Sequence, residues 1–291
     1  MSTSGSSYCA NLGRQIMRNL AMVGDVMRRR AAGCMAGIYL LFVILASLFP
    51  AAFTHHDPTA TSPSEKLLAP SALHWFGTDQ LGRDVYTRVL YGGRETIVAS
   101  LLALVIAVVG GLIIGVIAGY AGGWVDAILM RTVDVLLSIP YLLLAITIIT
   151  AIGFGTIPVA LAIGVGLTPS FVRTTRSQVL RVRERAFIDA ARVNGASSFR
   201  IMVSHVLLNS SGPVGVLAIL NFGGVIMSVA TLSFLGFGAQ PPAAEWGSLI
   251  NAGRDYLLTA PWLSLLPGLV VVLCALSMTV IAQIIEERQR G

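Results

Sequence analysis

IPVALAIGVGLTPSFVRTTRSQVLRVRER, residues 157–185, changes character at its midpoint. From Ile157 to Val172 it is dominated by apolar and small residues. It then delivers Arg173, Arg176, Arg181, Arg183 and Arg185, with Arg192 and Arg200 following. A basic cluster at the end of an apolar run marks the cytoplasmic side of a membrane span. Working outward, five further apolar runs cover 31–53, 96–120, 132–152, 214–237 and 263–285. A spanning helix needs about 20 residues, so all five are long enough, and run 157–172 is the shortest of the six.

The basic segments decide how the runs thread. Arg14, Arg18 and Arg28–Arg30 precede the first run. With that tail inside, the fourth of six crossings returns the arginine-rich loop to the tail's side. Merging runs 132–152 and 157–172 into one span would place that loop opposite, against the bias of Lys and Arg toward cytoplasmic loops. The expected fold class is therefore all-α, a polytopic membrane protein with six transmembrane helices and both termini cytoplasmic. The expected layout is a tail over 1–30, a first span over 31–53 and an outer loop over 54–93. A helical core follows over 94–285, with a basic loop at about 181–211 and a short tail over 286–291.

Composition agrees. Hydrophobic residues make up 55% of the 291-residue chain and charged residues 12%, with mean hydropathy +0.78. Soluble domains carry about 25% charged residues, so this chain needs lipid as a second solvent. The net charge is +6, but the arginines lie between apolar runs, which argues for topology and against nucleic acid.

Chemical motifs are sparse. Lys66, the sole lysine, sits in Ser64–Leu67, so no Walker A loop is present. Neither an HExxH pair nor a GxSxG elbow occurs. Cys9, Cys34 and Cys274 lack metal-ligand spacing, His55–His56 reads as a solvated pair in a polar loop, and His74 and His205 stand apart. No enzyme activity, cofactor or metal is expected. An ion-coupled transporter would need acids deep in the spans, where only the interfacial Asp126 and Asp134 occur.

Within the spans, Gly111, Gly115 and Gly119 fall on one helix face and suit close helix packing. Arg131 and Asp134, three apart, can pair. Asn221, Ser228, Thr231 and Ser233 give the fifth run a polarity that suits a path wall or interhelical hydrogen bonds. In the basic loop, Asp189-Ala190-Ala191 is followed four residues after Ala191 by Gly195, then by His205-Val206-Leu207-Leu208. This reads as a helix, a glycine turn and a second short helix. Phe187, Ala190, Ala191 and Val193 form an apolar knob suited to a partner's groove.

That loop resembles the EAA loop of binding-protein-dependent ABC importer permeases, written Glu-Ala-Ala, three residues, Gly. Asp189 stands where the family has Glu, and Leu208 where a Pro often follows the Leu. Further blocks resemble the dipeptide/oligopeptide/nickel permease group, in particular the second of its two permeases. They are His74–Asp79 with Leu81–Val85, Gly119–Asp126 with Asp134–Pro140, and Leu232–Gly236 with Gln240–Pro242 and Glu245–Gly247. The long N-terminal tail and the absence of a Gly-Asp pair near the C-terminus depart from the group.

The resemblance implies a type I ABC importer transmembrane fold. It implies a homologous permease partner, two ATP-binding cassette ATPase subunits and an extracytoplasmic substrate-binding protein, with peptides as the commonest substrate. Nickel complexes and glycoconjugates are the alternatives. Asp189, Ala190, Ala191 and Gly195 would form the coupling helix that docks on the ATPase, flanked by Arg185 and Arg192. Asp79, Arg83, Asp84, Glu245 and Trp246 would order the outer loops that meet the binding protein.

Overall fold

The computed structural model describes residues 31–290, with side chains to residue 287. The N-terminal tail, Cys9 and its arginines lie outside the described residues. The helices are α1 (Ala31–Leu48), α2 (Val85–Ala121), α3 (Gly123–Ser138), α4 (Tyr141–Ile152), α5 (Thr156–Arg183), α6 (Ala186–Val193), α7 (Ser198–Arg200), α8 (Leu208–Phe234), α9 (Trp246–Gly253) and α10 (Trp262–Arg290). A π-helical stretch, Ile201–Leu207, joins α7 to α8 without a break. Among the described residues there is no strand, and the only β pairing is an isolated Thr78–Asp84 bridge.

Among the described residues, five helices are long and apolar enough to cross a membrane. The pair α3–α4 is long and apolar enough only when taken together, and it is bent by 95° at the break between its halves. The run expected as one span over 132–152 is thus broken between Ser138 and Tyr141. Pro140 disfavours helical backbone in the residue before it, and Ile139 is extended (φ −88°, ψ 128°). Pro140 itself then caps α4.

The second helix starts eleven residues before its apolar run. Val85–Glu95 carries Arg, Tyr, Gly and Glu, yet Asp84 starts the helix by accepting the Thr87 N–H at 2.7 Å. At 37 residues, α2 is about 55 Å long at ~1.5 Å per residue. It packs along α5 through its glycine face. A Cβ at Gly111, Gly115 or Gly119 would fall 2.3 Å from Phe171 Cβ, 2.5 Å from Thr175 Cβ or 2.7 Å from Val179 Cγ1. The α5 partners recur every four residues, as the glycines do, so two straight ridges mesh. Large apolar side chains such as Ile38, Leu41, Val105, Ile113 and Leu269 remain exposed on the outside of the bundle, a surface that suits lipid.

Candidate functional site

The arginine-rich end of the bundle carries a short helix on a firm seat. In α6, Ile188 is fully buried and packs in a cluster with Val116 of α2, Val179 and Val182 of α5, and Ile201 and Val206 beyond the turn. One isoleucine thus ties the loop to both long helices. The helix then ends in a Schellman motif: the Gly195 N–H donates to Arg192 O at 3.0 Å and the Ala196 N–H to Ala191 O at 3.1 Å. Gly195 has φ +79°, the left-handed conformation that such a stop requires and glycine adopts without strain. Ala191 occupies the position that contacts the residue after the glycine, and both Ala191 and Ala196 pack on the Ile188 cluster. The four-residue interval from Ala191 to Gly195 is therefore the geometry of the helix stop.

The expected apolar knob divides. Ala191 is half-buried and turned inward, whereas Phe187, Ala190 and Val193 are exposed. Asp189 and Arg192 pair on the outer surface at 3.1 Å, and Arg185 is exposed at the N-cap. The outward face of α6 is thus Phe187, Ala190 and Val193 bordered by a charge pair. Phe199, 71% exposed, extends the apolar surface past the turn.

Arginines brace this end by bonding between helices. Arg176 of α5 makes a bidentate pair with Asp126 of α3, at 2.5 and 2.6 Å. Asp134 accepts from Arg173 at 2.6 Å, so its partner lies across the helix interface and is not Arg131. Arg183 donates to Gly119 O at 3.1 Å, satisfying a carbonyl at the C-terminal end of α2.

At the opposite end, the five residues expected to order the outer loops are buried. Asp79, Arg83, Asp84, Glu245 and Trp246 are all under 8% exposed because they bond to their own loops. Asp79 accepts from the N–H groups of Leu81 and Arg83 and from Arg83 Nε at 2.7 Å. Glu245 caps α9 through the N–H groups of Gly247 and Ser248 and lies 3.0 Å from the Thr96 hydroxyl of α2. Burial pushes its carboxyl above the ordinary glutamate range, although the surrounding donors oppose the shift. Trp246 Nε1 donates to Val89 O at 2.8 Å. Glu245 and Trp246 are internal struts between α9 and α2, while Asp79, Arg83 and Asp84 tie together the loop and cap that start α2. Arg88, which sequence reasoning missed, joins them by donating to Pro58 O at 2.9 Å. Its only sequence signal is an arginine one helical turn after the Asp84 cap.

On α8 the polar residues do not form one stripe. Asn221, Ser228 and Thr231 each bond a carbonyl of their own helix, at 2.7–2.8 Å. Ser233 is buried on another face, against Gly238 and Gly247.

Comparison with known proteins agrees with this architecture. Residues 111–291 match the model of the binding-protein-dependent transport system inner membrane component. The chain belongs to that permease family. It is 39% identical over 240 residues to the probable D,D-dipeptide transport system permease protein DdpC of Escherichia coli K12, covering 82% of this chain and 80% of that protein. It is 40% identical over 244 residues to the dipeptide transport system permease protein DppC of Alkalihalophilus pseudofirmus, covering 84% and 80%. The glutathione transport system permease protein GsiD of Salmonella typhimurium is 38% identical over 255 residues, covering 87% and 84%. Two solved structures share the fold. A chain of an amino acid ABC transporter with histidines aligns with TM-score 0.54 and 14% identity, over 70% of this permease and 94% of that chain. A chain of the inward-facing MetNI methionine ABC transporter aligns with TM-score 0.52 and 19% identity, over 67% and 95%.

Proposed function

We propose that this permease is one half of the channel of an ATP-driven peptide importer in the cytoplasmic membrane, with both termini cytoplasmic. A homologous permease completes the channel, two ATPase subunits dock at the arginine-rich end, and an extracytoplasmic binding protein delivers substrate at the other. The chain itself is non-catalytic. The observation that carries the reading is α6, a short helix rooted in α2 and α5 by Ile188 yet presenting Phe187, Ala190 and Val193 outward. A helix so seated transmits a push on its outer face directly to two long helices. Peptide as the substrate class rests on the dipeptide and glutathione permeases among the relatives.

The rival reading, an ion-coupled transporter, needs an acid free to bind a proton or ion within the spans. Asp126 and Asp134 are both engaged by arginines at the basic end, which disfavours it. The decisive experiment reconstitutes the chain with its partner permease, ATPases and binding protein, and compares wild type with Ala190→Glu at equal membrane expression. Ala190 is exposed, so the change alters the docking face and spares the seat. Peptide uptake that requires ATP and collapses in the variant is expected. Unchanged uptake, or uptake driven by an ion gradient without ATP, refutes the coupling assignment.

A further inference from the structure

The connection between α1 and α2 holds a cluster that the transport reading does not use. One ligand atom from each of His56, His74 and Asp84 can be chosen so that all three lie within 4.8 Å of one another. The His56 and His74 rings sit 5.4 Å apart, centroid to centroid.

Three features make this a built site. His74 is 4% exposed, its Nδ1 lies 2.9 Å from Asp84 Oδ2, and its Nε2 is buried without a hydrogen-bond partner. An unpaired buried polar atom costs about 1–3 kcal/mol, so its persistence calls for an occupant. The pairing with Asp84 has the right sense for a ligand: Nδ1–H donated to a carboxylate leaves the Nε2 lone pair free. Metal-bound imidazoles are held in this way by a carboxylate behind the ring.

The opposite side of the cluster is equally fixed. The Thr54 and Thr87 hydroxyls lie 2.6 Å apart, and the His56 N–H donates to Thr54 Oγ1 at 3.2 Å. These bonds anchor the His56 backbone beside the start of α2 and leave its ring exposed and free to turn. His55, His56 and Asp84 line one small cleft with Trp75 and Tyr86.

We propose that His56 and His74, with Asp84 orienting His74, form a site for a divalent transition-metal ion of the zinc type. Two imidazole nitrogens suit such borderline ions and do not suit Mg2+ or Ca2+. Bonds of about 2.0–2.1 Å at tetrahedral angles put ligand atoms about 3.3 Å apart, so the exposed His56 ring turns inward on binding. Water completes the shell. The bound ion cross-links the segment after α1 to the loop and cap that start α2, two pieces of chain otherwise joined here by the Thr54–Thr87 contact and the Arg88–Pro58 hydrogen bond.

The test is Zn2+ binding by the tag-free full-length chain in detergent, in competition with a chromophoric chelator, with X-ray absorption on the loaded protein. Wild type is expected to hold one ion per chain with imidazole nitrogens in its first shell. His56→Ala, at an exposed position that leaves the fold intact, should weaken binding at least tenfold. Asp84→Asn should weaken it about 10–100-fold, the usual cost of losing a carboxylate behind a ligating His. His55→Ala should stay within threefold of wild type. Equal Zn2+ affinity in wild type and His56→Ala, or no binding by wild type, overturns the proposal. A loss confined to His55→Ala overturns the ligand assignment.

Discussion

Gly111→Ala puts the α2–α5 seam to the sharpest test. The added methyl carbon would lie 2.3 Å from Phe171 Cβ, 3.0 Å from Phe171 C and 3.2 Å from Phe171 Cα. Carbon atoms pack favourably at about 3.5–4.0 Å, so the helices must part locally by more than ~1 Å. No flexible side-chain end is available to yield, because all three contacts are backbone or Cβ atoms and Phe171 is only 1% exposed. Overpacking of this kind costs about 1–3 kcal/mol. Helix propensity works the other way, since Ala is favoured over Gly by up to ~1 kcal/mol in a helix interior. The net expectation is a loss of roughly 1–2 kcal/mol, about a five- to thirtyfold shift in the unfolding equilibrium. Gly215→Ala in α8 is the matched control, because a Cβ there meets nothing within 4 Å. It should be neutral or stabilising. The assay is reversible unfolding in mixed detergent micelles titrated with dodecyl sulfate, run on both variants and wild type. If Gly111→Ala is as stable as wild type while Gly215→Ala behaves as expected, the meshed seam is wrong.

Other perturbations separate the bracing at each end. Arg176→Ala strands Asp126 without its bidentate partner, and in the same titration should cost about 1–3 kcal/mol, with the swapped pair Asp126→Arg/Arg176→Asp recovering part of it. Trp246→Phe keeps a ring but removes the donor to Val89 O. Its expected cost is about 1–3 kcal/mol, while Trp246→Ala should cost about 3–5 kcal/mol. Glu245 predicts a pH dependence: its folded-state pKa is raised, so the stability it contributes is full below the ordinary glutamate range and declines as pH rises through the raised value. Glu245→Gln should flatten that part of the stability–pH curve, and an unchanged slope would show that another group carries it.

What could be read from the residues was whatever has a short repeat. Apolar runs, the four-residue glycine spacing and the arginine clusters all repeat or segregate within a helix length. The Ala191-to-Gly195 interval was legible too, although its physical meaning as a helix stop needed the Ala196–Ala191 hydrogen bond. What the residues concealed was mostly long-range. Glu245 lies against Thr96, 149 residues away, and Arg176 reaches Asp126 across 50 residues. Neither pairing has a local signature, so Asp134 read as a partner for nearby Arg131 when its true partner was Arg173. Ile188 escaped notice because a single isoleucine beside Phe187 and three alanines looks like one more member of a patch. Only the tertiary packing shows that it faces the other way. The break at Pro140 was hidden by hydropathy, which stays high across it.

The same contacts explain how two distant ends can act as one body. Helix α2 begins at the Asp84 cap among the buried struts Asp79, Arg83 and Glu245, and ends where Arg183 binds Gly119 O. Between those points its glycine face is locked to α5 at contact distances that leave no room for sliding. Ile188 and Val116 tie α6 to the same pair at the basic end. Load applied to α6 therefore reaches a two-helix column about 42 Å long, the length of the 28-residue α5 at ~1.5 Å per residue. The yielding elements lie beside it. These are the 95° break between α3 and α4, and the π-helical stretch Ile201–Leu207 with Pro213 soon after it in α8, features that bend or mark hinges in helices. Under the importer reading, ATPase closure moves the α2–α5 column as a unit while α3–α4 and the entry to α8 absorb the angular change. The physical reason is that meshed backbones resist shear far better than a helix lacking regular hydrogen bonds resists bending.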